Sequence, residues 1–235
     1  MSGDRIDFIS AYCDGWCERC GFTDRCSVYA VKAAIAMCDG DYSAAVELAV
    51  GAPPASDDAD SLPEPANDRL ADYQPTETEL AGIQREMEDR DERIDESPLT
   101  TDSRIVSTLS QGCLQRLCEA LEAHDDRAVR EAFEIASWDC LLIYVKVQRA
   151  LTGRDESHSG WMTEDDEIQN DWNGSAKVAL LSIDRSIPAW DKIAAAMVDT
   201  DAAAIAERLR ILRVDVERQF PDARKFIRPG FDGEA

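Results

Sequence analysis

Histidine is scarce in this chain. There are two, His124 and His158, among 235 residues, and both lie near acids. A Ser-His-Asp triad built on His158 has no supporting context, and a di-iron bundle needs a Glu-x-x-His motif on each of two helices, which is missing. Both histidines read as plain surface residues. Also missing is any run of about 18 apolar residues, so no transmembrane helix is expected. The first residues, Met1-Ser2-Gly3-Asp4, lack the basic-then-apolar opening of a secretory signal. Positive charge is short too, with 25 Lys+Arg against 48 Asp+Glu and a net charge of −23. Coating a nucleic acid or an anionic membrane needs a positive footprint, so neither is expected as a partner. The expected compartment is the cytoplasm.

No convincing strand alternation appears, whereas sustained 4-3 apolar spacing does. One run is Val129, Phe133, Ala136, Cys140, Ile143, Val147, Ala150. A second is Ala176, Leu180, Ile183, Ile187, Trp190, Ala194, Met197, and a third is Ala202, Ile205, Leu209, Leu212, Val216. A weaker run precedes them: Val106, Leu109, Cys113, Leu117, Leu121. Four helices with one apolar seam each predict an all-α fold, economically a four-helix bundle. Pro188 predicts a kink or restart in the third of these helices. The break at 153–173, which holds Trp161 and Trp172, is long enough to cross the bundle or act as a lid.

Upstream the composition changes. Residues 51–102 carry 16 acids and 4 bases, and five of the nine prolines fall in 51–75. That stretch reads as an acidic, extended linker. A thinly amphipathic helix is predicted from Thr76 to Glu96, before Pro98 forces a break. The expected organisation is a Cys-rich helical head over 1–50, a linker plus surface helix over 51–102, and a helical bundle over 103–235.

The sharpest chemical signal is sulfur. Cys13, Cys17, Cys20 and Cys26 fall within fourteen residues at C-x3-C-x2-C-x5-C spacing. In a reducing compartment such clustering points to metal rather than disulfide. Thiolates bind soft or borderline metals, which leaves an iron–sulfur cluster or Zn2+. A straight helix over 6–20 would align Cys13, Cys17 and Cys20 on one face. It would also spread the outer pair by about 10 Å. One tetrahedral zinc needs sulfurs about 4 Å apart, so a four-iron cluster is easier to ligate in that geometry. Against this, Gly15 can break the helix, and Cys17-Glu-Arg-Cys20-Gly21 has the look of a zinc knuckle. Arg19 and Arg25 would offset thiolate charge, and Tyr12, Trp16 and Phe22 would shield the site. C-x3-C-x2-C also occurs in radical S-adenosylmethionine enzymes. That reading is rejected, because no barrel of strands follows and a fourth cysteine would occupy the open iron. Cys113, Cys118 and Cys140 read as core thiols, and Cys38 as a spare ligand or a core residue.

A second constellation lies in the apolar helices. Asp139 and Lys146 are seven apart, as are Lys177 and Asp184, with Arg185 following. These five residues make a candidate polar pocket for an enzyme or small-ligand binder, or else satisfied ion pairs at helix edges. The basic stretch 208–228, with seven bases and three acids, is expected to pair with the acidic segment 76–96.

Three stretches carry a resemblance. They are Tyr12-Cys-Asp-Gly-Trp-Cys-Glu-Arg-Cys-Gly-Phe-Thr-Asp-Arg-Cys26, Gly174-Ser-Ala-Lys-Val-Ala-Leu-Leu-Ser-Ile-Asp-Arg-Ser-Ile-Pro-Ala-Trp190 and Phe220-Pro-Asp-Ala-Arg-Lys-Phe-Ile-Arg-Pro-Gly-Phe231. Together they resemble a family of uncharacterised bacterial proteins. The resemblance implies one cytosolic protein with head and bundle joined, and it brings no activity with it. The expected function is a metal-binding helical protein with a redox or interaction role. The alternatives are a ligand binder or enzyme with its pocket in the bundle, and an adaptor whose acidic segment docks a basic protein partner. No reaction is legible in the sequence.

Overall fold

The structure, a computed structural model, describes residues 5–51, 75–158 and 166–233. Among them are seven α-helices and three short 3-10 turns, with no strand, so the all-α expectation holds. The helices are α1 (Ser27–Met37), α2 (Tyr42–Val50), α3 (Glu77–Asp95), α4 (Pro98–Glu122), α5 (Arg127–His158), α6 (Asp171–Met197) and α7 (Thr200–Gln219). The 3-10 turns are Cys17–Arg19, Thr23–Arg25 and Ala223–Lys225. The Pro-rich part of the linker, 52–74, and Trp161 of the expected lid lie outside the described residues.

Local chemistry explains where the helices begin. Thr76 and Glu79 form a reciprocal capping box at α3: the Thr76 N–H donates to Glu79 Oε2 (2.8 Å) and the Glu79 N–H to Thr76 Oγ1 (3.3 Å). Pro98, expected as a breaker, is also the first residue of α4, where its missing N–H costs nothing and Ser97 caps. Asp41, Asn170 and Asp199 cap α2, α6 and α7 in the same way. Pro188 neither ends nor restarts α6, which runs through it to Met197. Trp172, expected in a loop, lies in the first turn of α6.

The chain divides into two compact units. One takes in Met1–Ala11 and Gly15–Glu88; the other takes in Tyr12–Asp14 and Asp89–Glu234, so the division falls inside α3. In the first unit α1 packs on α2 and on the turn at Thr23–Arg25. The described part of residues 6–20 is not the straight helix considered above but a series of turns, and Gly15 has φ +73°. That left-handed backbone suits glycine and ends any helical run there.

In the second unit α4 packs on α5, α5 on α6, α6 on α7 and α7 on α4, with the turn Ala223–Lys225 on α6. The seams read from sequence are largely buried: Val129, Ala136, Ile143, Val147 and Ala150 of α5, and Ile205, Leu209, Leu212 and Val216 of α7. Each fully buried Leu or Ile contributes roughly 1.5–3 kcal/mol relative to exposure. The weak run on α4 needs correction. Leu109 is exposed, and Val106, Cys113, Leu114 and Leu121 face the core beside buried Ser103 and Ser110.

Candidate functional site

The head thiols sit on tight turns. Among the described residues no disulfide joins any of the eight cysteines, and Cys13, Cys17, Cys20 and Cys26 are each partly buried. The 3-10 turn Cys17–Arg19 closes with the Cys20 N–H donating to the Cys17 carbonyl at 3.1 Å. Two residues on, the Phe22 N–H donates to Cys20 Sγ at 3.4 Å. Cys26 caps α1, its sulfur accepting the Tyr29 N–H at 3.5 Å. Arg19 lies over the Trp16 ring, 3.9 Å from its centre. Cys13 belongs to the other unit. Among the described residues no group of three or more His, Cys, Asp or Glu side chains is placed to hold a metal ion. Cys38 ends α1 as its C-cap.

The second unit holds a polar cluster between α5 and α6. Asp139, with 0% of its surface exposed, receives two hydrogen bonds from Arg185, from Nε at 2.8 Å and Nη2 at 2.5 Å. Ser186 Oγ donates to the same carboxylate at 3.0 Å. Arg185 also pairs with Asp14. The Trp138 indole N–H donates to the Asp14 carbonyl at 2.9 Å. Burial pushes the Asp139 carboxyl upward, and Arg185 and Ser186 pull it down less strongly. Burial also opposes charge on Arg185, yet the two carboxylates outweigh it and raise its pKa. A guanidinium forked onto a carboxylate keeps its proton, and Asp139 is its ionised partner.

The five expected pocket residues therefore do not form one site. Asp139 and Arg185 join. Lys146 is buried nearby, and burial, followed by the charge of Arg149, lowers its pKa, while Cys13 and the carboxylates of Asp171 and Asp14 act against the shift. Lys177 instead donates to the Phe226 carbonyl (2.5 Å) and pairs with Asp232 (2.7 Å). Asp184 pairs with Arg213 (3.6 Å) and Arg224 (2.9 Å). Neighbours on a helix are about 100° apart, so Asp184 and Arg185 serve different faces.

The sequence reading missed Asp14 as a partner of this cluster. Tyr12 packs on Phe226 with ring centres 4.7 Å apart. Gly174 faces both rings, and a Cβ there would lie 2.5 Å from Tyr12 Cδ1 and 2.8 Å from Phe226 Cζ. The three conspicuous stretches thus touch at two points along α6: Tyr12 and Phe226 at Gly174, and Asp14 at Arg185. That coincidence was the available signal.

Other expectations resolve plainly. Cys113 is buried in the core, and burial raises its pKa, as it does that of Cys140. Cys118 donates to the Gln115 carbonyl. His124 Nδ1 accepts the Asp126 N–H in the turn before α5. The described partners of the basic C-terminal stretch are Asp184, Asp191, Glu207, Asp215, Glu217, Asp222 and Asp232, not the acids of 76–96. Acids on α6, on α7 and in the tail supply these pairs. No helix among the described residues is long and apolar enough to cross a membrane.

In comparisons with known proteins, no family model, no curated protein and no solved structure matches the chain.

Proposed function

We propose that the protein is a metal-binding helical protein whose N-terminal thiols take up one metal ion, with a structural or interaction role and no catalytic one. The ligands are those the spacing assigns: Cys13, Cys17, Cys20 and Cys26. The observation that carries this reading is the turn at Cys17–Cys20, where the Phe22 N–H is directed at Cys20 Sγ and Gly21 follows the second cysteine. The Tyr29 N–H on Cys26 Sγ supports it at the fourth position. An assembled thiolate site rarely exists before its metal, because uncompensated thiolates repel and metal binding supplies the folding energy that gathers them.

Zinc is the metal we favour. The case for a four-iron cluster rested on a straight helix holding Cys13 and Cys20 about 10 Å apart. Turns occupy that stretch instead, so this reason for rejecting a single tetrahedral ion falls away.

The polar cluster offers no comparable reading as a catalytic pocket. Asp139 is already bonded to Arg185 and Ser186, and Asp184 and Lys177 have partners elsewhere. The test is the double variant Cys17→Ser/Cys20→Ser, assayed for metal by mass spectrometry and for thermal stability. Loss of metal with a lower Tm is expected; unchanged metal content and an unchanged Tm would overturn the reading.

A further inference from the structure

The outer face of α4 and α5, both in the second unit, shows almost no charge. From Ile105 to Gln115 the sequence of α4 holds no Asp, Glu, Lys or Arg. On α5 the only charged residues from Ile135 to Gln148 are Asp139 and Lys146, and both are buried. What these stretches expose is apolar or small: Ile105, Thr108 and Gly112 on α4, and Ser137, Leu141 and Val145 on α5. Charged residues make up 31% of this chain, so a two-helix face without them stands apart from its surroundings. Gly112 adds a second observation. It sits inside a 25-residue helix, where glycine costs about 1 kcal/mol relative to alanine. Among the described residues nothing lies within 4 Å of where its Cβ would be. Packing within the chain therefore does not call for the missing side chain, whereas a helix laid on α4 from outside gains a closer approach.

We propose that the α4–α5 face binds a second copy of this chain, giving a two-fold homodimer. Charge favours that occupant. Two chains of net charge −23 repel, and a neutral face lets them touch without setting acid against acid. A basic partner gains nothing from a face that carries no acid. Area favours it too. At about 1.5 Å per residue α4 is about 37 Å long, and two helices side by side are about 20 Å across. The face then covers about 750 Å², close to the roughly 800 Å² per partner of a stable interface.

The face is also complementary to itself. The short connection between α4 and α5 makes them an antiparallel pair. Arg104 lies over the Tyr144 ring, 5.9 Å from its centre, which fixes their register. One turn along α4, Thr108 thus comes level with Leu141, one turn back along α5. A two-fold axis placed there, across the helices, runs each helix antiparallel to its own copy. Ile105 then meets Gly112 of the partner subunit, and Val145 meets the partner's Ser137. A large side chain faces a small one at both places, as interdigitating helices require.

The test is sedimentation equilibrium of the full chain in the presence of a reductant. Twice the chain mass is expected, with a dimer Kd on the order of 10 μM or lower. Leu141→Glu places two new carboxylates near the axis, and it is expected to weaken the dimer about tenfold or more while the helical circular dichroism is kept. Gly112→Gln has open space in a single copy and suits a helix better, yet it fills the groove that takes the partner's Ile105. It is expected to keep the fold and weaken the dimer about tenfold or more. Ile211→Glu adds the same charge on the exposed side of α7 and is expected to leave Kd within about twofold. A monomer at every concentration overturns the proposal. So does a dimer that the reductant or a metal chelator abolishes, one as tight in the Leu141 and Gly112 variants as in the parent, or one weakened equally by Ile211→Glu.

Discussion

Arg185 reaches across from α6 to clasp Asp139 of α5 with two hydrogen bonds, and it spends its remaining Nη on Asp14 from the N-terminal stretch. The pair closes a fully buried carboxylate inside a helix interface. Removing one partner strands the other. Arg185→Ala is therefore expected to destabilise the fold by about 3 kcal/mol or more. Replacing both, as Asp139→Leu/Arg185→Met, is expected to cost clearly less than either single change. Chemical denaturation of the three variants checks this. Additive losses in the double variant would show that the pair is not the coupled unit described.

Gly174 is required by what faces it. A methyl group there would overlap the ring of Tyr12 and crowd Phe226. Gly174→Ala is expected to destabilise by about 1–3 kcal/mol, the usual range for overpacking. Tyr12→Ala made in the same chain removes the larger overlap and leaves only the Phe226 contact, so the two losses should be less than additive. Thermal melts of the single and double variants read the difference.

Val198 ends α6 in the left-handed conformation, at φ 52° and ψ 46°, with 89% of its surface exposed. A β-branched residue is strained there and glycine is not. Val198→Gly is expected to stabilise by about 1 kcal/mol, seen as a rise in Tm. A fall in Tm would contradict the assigned strain.

The C-terminal tail carries a pH signature. Partial burial of Asp232 favours its protonated form, but hydrogen bonds from Arg228 and Lys177 outweigh this and hold its pKa well below the ordinary carboxylate value. An acid depressed in the folded state adds stability above its unfolded pKa and loses it as pH falls toward the folded one. Asp232→Asn is thus expected to cost about 1 kcal/mol at pH 7, allowing for solvent screening. The gap between variant and parent should close progressively below about pH 4. A gap that stayed constant down to pH 2 would contradict the assignment.

Much of the helical part was legible because apolar spacing records burial directly. Val129, Ala136, Ile143 and Val147 were read as a seam and are buried as one. Leu109 was misread because α4 is lined with small hydroxyl residues, and Ser103 and Ser110 pack inward where a 4-3 rule looks for leucine. Partner choice among charges was less legible. The spacing of Asp139, Lys146, Lys177 and Asp184 leaves a shared polar pocket and ion pairs at helix edges both open, whereas the pair that forms joins Asp139 to Arg185, whose planar fork reaches a buried carboxylate. Asp14 was invisible as a partner because a residue in a turn carries no periodicity. Gly15 warned that residues 6–20 were not one helix, and its positive φ agrees.

The most direct measurement is the metal-to-chain ratio of protein purified without oxygen, taken together with its visible absorbance. Close to one zinc per chain is expected in a colourless protein, with the metal lost in the Cys17→Ser/Cys20→Ser variant. A protein free of both zinc and iron would contradict thiol-metal binding altogether, and a brown one containing iron and sulfide would contradict the choice of zinc.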